Sequence, residues 1–249
     1  MFEIFKKYKH FYDKENDIIL INADSQNVVG DLIKYNQLNI FDLILTDPPF
    51  GIDYKGWDDK KIFWDILEKL KLLLKENKFF IFWWSVKKLL DVYKVEKYFN
   101  FIWQIICLFP STYSRCMLGR RTYAPIFVFG KGEPKVCFKY SDKVMADELP
   151  FIQSKIKSGE FKPTFVSAKL LQMFSNENEL VFDPFMGFGG LALVCRLFNR
   201  KFVGIEKDEI RFKIAVEFYK EGKIKESIPE IIEKIKENNE RQYLLKLKF

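Results

Sequence analysis

The sequence predicts an α/β fold, with a mostly parallel, Rossmann-like sheet carrying helices on both faces. Three observations point to it. Short apolar runs alternate with segments of helical spacing along most of the chain. One of these runs, Leu180–Asp183, passes through glycines into a helical stretch, a strand–turn–helix arrangement typical of α/β ligand sites. The chain has 249 residues, 48% hydrophobic and 30% charged, which suits one domain with a sizeable core. Residues 1–249 are therefore read as a single domain, with 110–161 as a small loop-rich insertion.

The elements follow in order. Ile18–Asn22 reads as a strand and Ser25–Tyr35 as a helix. Phe41–Leu45 is an apolar run that Thr46-Asp47-Pro48-Pro49 must end, because proline lacks the N–H a sheet needs. Lys60–Lys75 is helical, with Ile62, Leu67, Leu70 and Leu74 on one face. Phe79–Trp84 is a buried strand, Val86–Phe99 a helix, Phe101–Phe109 a strand and Ala124–Phe129 another, closed by Gly130-Lys131-Gly132. From Glu133 to Phe161 the periodicity fades and lysines recur, so a loop is expected. Thr164–Phe174 is helical, Leu180–Asp183 a strand, Gly190–Phe198 a helix, Lys201–Glu206 a strand and Asp208–Tyr219 a helix. The tail Ile228–Glu240 is a charged helix with a solvated face.

Composition removes several classes. There is one histidine, His10, so a mechanism needing several histidines is excluded. Cys107, Cys116, Cys137 and Cys195 form no C-x-x-C pair, and each is expected to be a small buried residue; no metal site is indicated. The start lacks the apolar core of a signal peptide, and the longest apolar run, Phe79–Trp84, is far too short to span a membrane. A cytoplasmic protein is expected. The net charge of +7 permits an anionic partner such as nucleic acid.

The first chemical constellation is Asp183-Pro184-Phe185-Met186-Gly187-Phe188-Gly189-Gly190. Its glycines let the backbone turn sharply against a ligand, and the following helix offers unpaired N–H groups. Glu206 ends the next strand about 20 residues on, where a carboxylate can accept both ribose hydroxyls of a nucleoside. Gly187-x-Gly189-x-x-Ala192 also fits a dinucleotide fingerprint, so an NAD enzyme is an alternative. Asp183 argues against it. A carboxylate facing the ligand there would repel a pyrophosphate but attract the amino or sulfonium group of S-adenosylmethionine.

The second constellation, Asp47-Pro48-Pro49-Phe50, lies at the end of a strand, the edge where open α/β sheets bind ligands. The Asp47 carboxylate and the Pro48 carbonyl are acceptors suited to the two hydrogens of an NH2 group, and Phe50 offers a ring to stack on. Holding a nucleobase amine by its hydrogens aims its lone pair outward, toward a methyl sulfonium placed in line. Catalysis then rests on positioning and electrostatics.

Together these motifs resemble the DNA amino-methyltransferases that act on exocyclic nitrogens of adenine or cytosine. With the catalytic motif Thr46-Asp47-Pro48-Pro49-Phe50 ahead of the cofactor motif, the order resembles their beta group. The resemblance covers roughly Ile18 to Ile214 and implies the class I methyltransferase fold. It implies Asp47, Pro48, Pro49 and Phe50 as catalytic residues. It implies S-adenosyl-L-methionine as cofactor, held by Asp183, Pro184, Phe185, Gly187, Gly189 and Glu206. Asp24, in Asn22-Ala23-Asp24, resembles the residue that contacts the cofactor adenine, and Lys162-Pro163 the family's Lys-Pro element. Thr122-Tyr123-Ala124-Pro125…Phe129-Gly130-Lys131-Gly132 resembles the strand segment ahead of the recognition region, and target readout is expected from Pro110–Arg121 and Glu133–Phe161 within the insertion 110–161.

The sequence departs from the family pattern at four places. Phe188 stands where a small Ser is usual and is expected to crowd the methionine end, Gly190 where Thr is usual, Phe50 where Tyr is commoner, and Gly159-Glu160-Phe161 where a His often precedes the Lys-Pro element. Asp at the first catalytic position leans toward adenine N6 in this family, with cytosine N4 as the alternative. The same chemistry on RNA or on a protein glutamine, and a non-catalytic DNA-binding relative, are further alternatives. The implied substrate is a base flipped from double-stranded DNA. Tyr54 and Trp57 join Phe50 as candidate stackers, and Arg115, Arg120 and Arg121 are candidate DNA contacts. A homodimer and a cognate restriction endonuclease are further implied partners.

Overall fold

A computed structural model describes residues 2–51, 61–109, 114–117, 119–139, 141–145 and 164–221. Tyr54, Trp57, Lys162, Pro163, Gly159-Glu160-Phe161 and the tail Ile228–Glu240 lie outside the described residues.

A nine-stranded sheet organises the chain. Its strands are β1 (Lys9–Asp13), β2 (Ile18–Asn22), β3 (Phe41–Thr46), β4 (Leu74–Trp83), β5 (Asn100–Leu108), β8 (Tyr123–Lys131), β9 (Lys143–Met145), β10 (Leu180–Asp183) and β11 (Lys201–Glu206). Two short strands, β6 (Ser114–Cys116) and β7 (Gly119–Arg121), form a separate hairpin. The order across the sheet is β1-β2-β11-β10-β3-β4-β8-β5-β9. From β2 to β4 every pairing is parallel; β1 and β8 run antiparallel to their neighbours.

The period-two alternation of the apolar strands sends side chains into two cores. Leu43, Ile81 and Val181 face one side, where α4 (Thr164–Phe174), α5 (Gly190–Leu197) and α6 (Glu209–Glu221) pack. Ile44, Phe80, Phe82 and Phe182 face the other, against α2 (Ser25–Lys34) and α3 (Lys61–Leu73), with the short α1 (Phe2–Phe5) beside α2. The expectation of helices on both faces is met.

Much of the second core is aromatic. Phe41 and Phe182, on adjacent strands, stack with ring centroids 4.2 Å apart and planes 6° from parallel. Phe82 lies within 6 Å of five other rings: Phe63 (5.3 Å), Phe80 (5.2 Å), Trp84 (5.9 Å), Phe127 (5.9 Å) and Phe129 (5.8 Å).

Some expectations were off. Val86–Lys97 is a 3-10 segment rather than an α-helix, with Lys88 out of helical geometry at φ −123°. Only Val92 and Val95 are buried, at a spacing of three, while Leu90 and Tyr93 stay exposed, so no wide apolar stripe holds an α-helix to the sheet. The Trp84 indole N–H also donates to the Lys88 carbonyl, at 2.8 Å. Within the region read as a loop, β9 adds to the sheet edge beside β5. Cys107 and Cys195 are buried as expected, but Cys137 is exposed. It lies on the segment leaving β8, where its N–H reaches out to the Met173 carbonyl.

Truncating Phe82 to Ala removes a ring from the centre of the aromatic core and is expected to cost about 3–5 kcal/mol in urea unfolding. Tyr93→Ala on the exposed 3-10 segment is expected to stay within about 0.5 kcal/mol.

Candidate cofactor and amine site

The site grows from the pairing of β10 with β3. Parallel register sets Val181 beside Leu43 and Phe182 beside Ile44, so both strands end at the same edge of the sheet. Beyond β10 the chain passes through α5 to β11 on one side; beyond β3 it passes through α3 to β4 on the other. That reversal opens a crevice at the carboxyl ends, the usual ligand position in such sheets. Asp183 and Thr46 close the two strands, and the Thr46 hydroxyl donates to Asp183 Oδ1 at 2.6 Å. The two sequence constellations therefore meet.

Asp183 also accepts the Phe185 N–H on Oδ1 at 3.0 Å. Asp183, expected to face the ligand, is almost wholly buried, and both hydrogen bonds from described residues fall on one oxygen. Burial pushes its carboxyl up to about 7, opposed by the bonds from Thr46 and Phe185 and reinforced by the negative charge of Asp47 and Glu206. Ser25, the first residue of α2, donates its hydroxyl to the Pro184 carbonyl and locks the next residue of the turn.

The glycine turn follows. Gly187 and Gly189 have φ of 58° and 75°, the left-handed region that glycine enters without strain. A Cβ on Gly189 would sit 3.0 Å from the Ala215 Cβ, so close helix packing requires glycine there. A Cβ on Gly187 would meet nothing within 4 Å, so its bare backbone borders open space. Gly189 caps α5 without a side-chain hydrogen bond, as glycine must, so no side chain satisfies the first-turn N–H groups from the cap position. Phe188 leans toward α6, with the Arg211 guanidinium 5.6 Å from its ring centre.

Glu206 reaches back to this turn. Its Oε2 accepts the Gly187 N–H at 3.0 Å and its Oε1 the Asp208 N–H at 2.7 Å. Each oxygen keeps a second lone pair for a ribose hydroxyl. Burial raises its pKa, while the backbone bonds from Asp208 and Gly187 lower it. Asp24 caps α2, accepting the Gln26 N–H at 2.9 Å, and its Oδ2 pairs with Lys207 at 2.8 Å. Asp24, Asp183, Gly187 and Glu206 thus gather at the carboxyl ends of three adjacent strands, β2, β11 and β10. The carboxylates suit a cation and ribose hydroxyls, and the N–H groups at the start of α5 suit an anionic group. Among the described residues no group of three or more His, Cys, Asp or Glu is placed to hold a metal ion.

Across the crevice, Asp47 is half-buried, Pro48 buried, and Pro49 and Phe50 partly exposed. Trp84 buttresses Phe50 edge-to-face, with centroids 5.6 Å apart and an interplanar angle of 76°. Trp64 in turn packs on Trp84 at 5.2 Å. The arginines read as a loop prove to belong to the β6–β7 hairpin, where Arg115 pairs in register with Arg120. Leu108 pairs with Tyr123, and the Phe109 N–H donates to the Thr122 carbonyl at 2.6 Å, so the hairpin springs from the carboxyl edge of the sheet. Arg120 is exposed and Arg121 partly buried.

The residues that sequence reasoning missed here are Ser25 and the linking hydroxyl of Thr46. Thr46 had a signal, a polar β-branched residue closing an apolar strand just before Asp47, but its partner depended on strand order.

The DNA methylase family (N6/N4 methylases) matches residues 41–217. The chain belongs to this family. Its catalytic-first motif order puts it in the beta group of DNA amino-methyltransferases, whose cofactor is S-adenosylmethionine. A type II methyltransferase of Lactococcus lactis subsp. cremoris, M2.LlaDCHI, is 33% identical over 54 residues, and that match spans 20% of its length. The fold is also that of the M1.HpyAVI–SAM complex, at a TM-score of 0.65 and 20% identity over 80% of this chain and 98% of that one. The cytosine-N4-specific PvuII DNA methyltransferase gives a TM-score of 0.65 at 14% identity, over 79% and 84%.

The raised Asp183 carboxyl has a stability consequence with a definite sign. The folded state holds that proton up to about pH 7, whereas the unfolded chain releases it near its ordinary value of about 4. The stabilisation is complete below about pH 4 and is lost as pH rises through 7; Glu206, also raised, acts in the same direction. The ligand-free protein is expected to lose thermal stability between about pH 4 and pH 7 in scanning calorimetry, and Asp183→Asn to flatten that loss.

Proposed function

We propose that this chain transfers a methyl group from S-adenosylmethionine to the exocyclic amine of a base flipped out of double-stranded DNA, with adenine N6 as the target atom. The reading rests on one observation above all: the Thr46–Asp183 hydrogen bond ties the Asp-Pro-Pro-Phe turn to the glycine turn at one edge of the sheet.

When bound, S-adenosylmethionine supplies an electrophilic methyl on a cationic sulfur. The chain's own residues do the rest. Gly187, the start of α5 and Glu206 receive the nucleoside end, and the ionised form of Asp183 sets negative charge beside a cation. The Asp47 carboxylate and the Pro48 carbonyl accept the two amine hydrogens and hold the lone pair toward the methyl. Phe50, backed by Trp84, stacks on the base and offsets part of the cost of unstacking it. The thioether S-adenosylhomocysteine leaves and the methylated nitrogen sheds one of its protons to solvent, so positioning and electrostatics carry the acceleration.

Adenine is favoured by Asp at the first catalytic position. The β6–β7 hairpin, with Arg115, Arg120 and Arg121, lies at the same edge and serves as the DNA contact. Lys162 and Pro163 complete the cofactor site in this reading, and a second copy of the chain or a cognate endonuclease are its further partners.

Incubating the protein with duplex DNA and labelled S-adenosylmethionine, then digesting the DNA to nucleosides for mass identification, is expected to yield N6-methyladenosine in its deoxy form. A methylated cytosine would move the target to N4, and label on RNA or protein alone would refute the DNA reading. Asp47→Ala is expected to lower methylation at least about a hundredfold. DNA binding is expected to fall steeply with salt, and Arg120→Ala to reduce the log–log salt slope by about 1 if that side chain meets a phosphate.

A further inference from the structure

We infer that Thr46 is a positioning residue: its hydroxyl links the carboxylate of the cofactor half-site to the strand tip bearing Asp47, so that each half-site favours occupation of the other. This deepens the proposed methyl transfer and rests on it.

The geometry is specific. Thr46 and Asp183 are only 2% and 5% exposed, so water competes little for the 2.6 Å bond between them. Thr46 is fixed on its other side by its place opposite Phe82 in the β3–β4 pairing, and it is followed directly by Asp47. Asp183 is fixed by the Phe185 N–H, at the entrance to the glycine turn. One hydroxyl therefore spans the two motifs.

The chemistry gives the link a direction. A hydroxyl donates more strongly to a carboxylate than to a neutral carboxyl. The surroundings of Asp183 resist its ionisation: it is buried, Asp47 follows the end of β3, and Glu206 ends β11, both carboxylates adding negative charge. At the head of α2, Asp24 is neutralised by Lys207. A cation arriving at the glycine turn favours the ionised form, tightens the Thr46 bond and steadies the tip that holds Asp47. By linkage, an amine held at that tip must favour the cation in return.

The test compares wild type, Thr46→Val and Thr46→Ser. Calorimetric titration with S-adenosylmethionine across about pH 5.5–8.5 is expected to show affinity rising through about pH 7 in wild type. Thr46→Val is expected to move that midpoint up by about one pH unit, weakening binding about fivefold at neutral pH, and Thr46→Ser to restore it. Asp183→Asn is expected to abolish the pH response, after which Thr46→Val shifts nothing further. With plasmid DNA as substrate, Thr46→Val is also expected to lower kcat more than it changes the KM for DNA. If Thr46→Val fails to fold, Thr46→Ala removes the same hydroxyl with less bulk. A midpoint unchanged by loss of the hydroxyl overturns the inference while leaving methyl transfer standing. Failure of wild type to bind S-adenosylmethionine at any pH overturns the functional reading, and this inference with it.

Discussion

The structure depends on the parallel pairing of β3 with β10. These two strands lie side by side although more than a hundred residues of chain separate them, and only their common register brings Thr46 within 2.6 Å of Asp183. A slip of one residue would turn each strand's apolar side chains to the wrong core. The Phe41–Phe182 stack opposes such a slip, because it fixes the same two strands through a flat aromatic contact. Packing in the core and chemistry at the edge are thus set by one register.

Electrostatics then follow from burial. Asp183 and Glu206 sit where desolvation disfavours their charge, and Asp47 adds to the negative field. Such a cluster is unfavourable in the ligand-free protein, and backbone N–H groups and one hydroxyl only partly relieve it. In the proposed function, a cationic cofactor would complete the relief, so the crowding of carboxylates is itself a source of affinity for a cation.

Much of this was legible in the sequence, for identifiable reasons. Leu180–Asp183 and Lys201–Glu206 agree with the structure to the residue, because apolar runs cut off by glycine, proline or charge leave little choice of boundary. The adjacency of the two motifs followed from resemblance and from the carboxyl-edge rule rather than from any local pattern. The edge strands β1 and β9 were not legible, since short polar strands at a sheet margin carry little alternation. The burial of Asp183 was missed for a related reason: its partners Thr46 and Ser25 lie far away in sequence, and no spacing encodes them. The 3-10 segment was misread because its composition resembles a helix while its buried contacts, Val92 and Val95, do not.

The position of β10 also has a bearing on how the molecule is made. It lies in the middle of the sheet, between β11 and β3, yet it leaves the ribosome after β1 to β9. Until it and β11 emerge, β2 and β3 have no strand between them, and each presents an open apolar margin to the cell. Closure of the sheet is a late, long-range event of the kind that slows folding and invites capture by chaperones. Because the two strands that fill that gap carry Asp183 and Glu206, the nascent chain gathers its buried carboxylates in the same step that conceals its sticky edges.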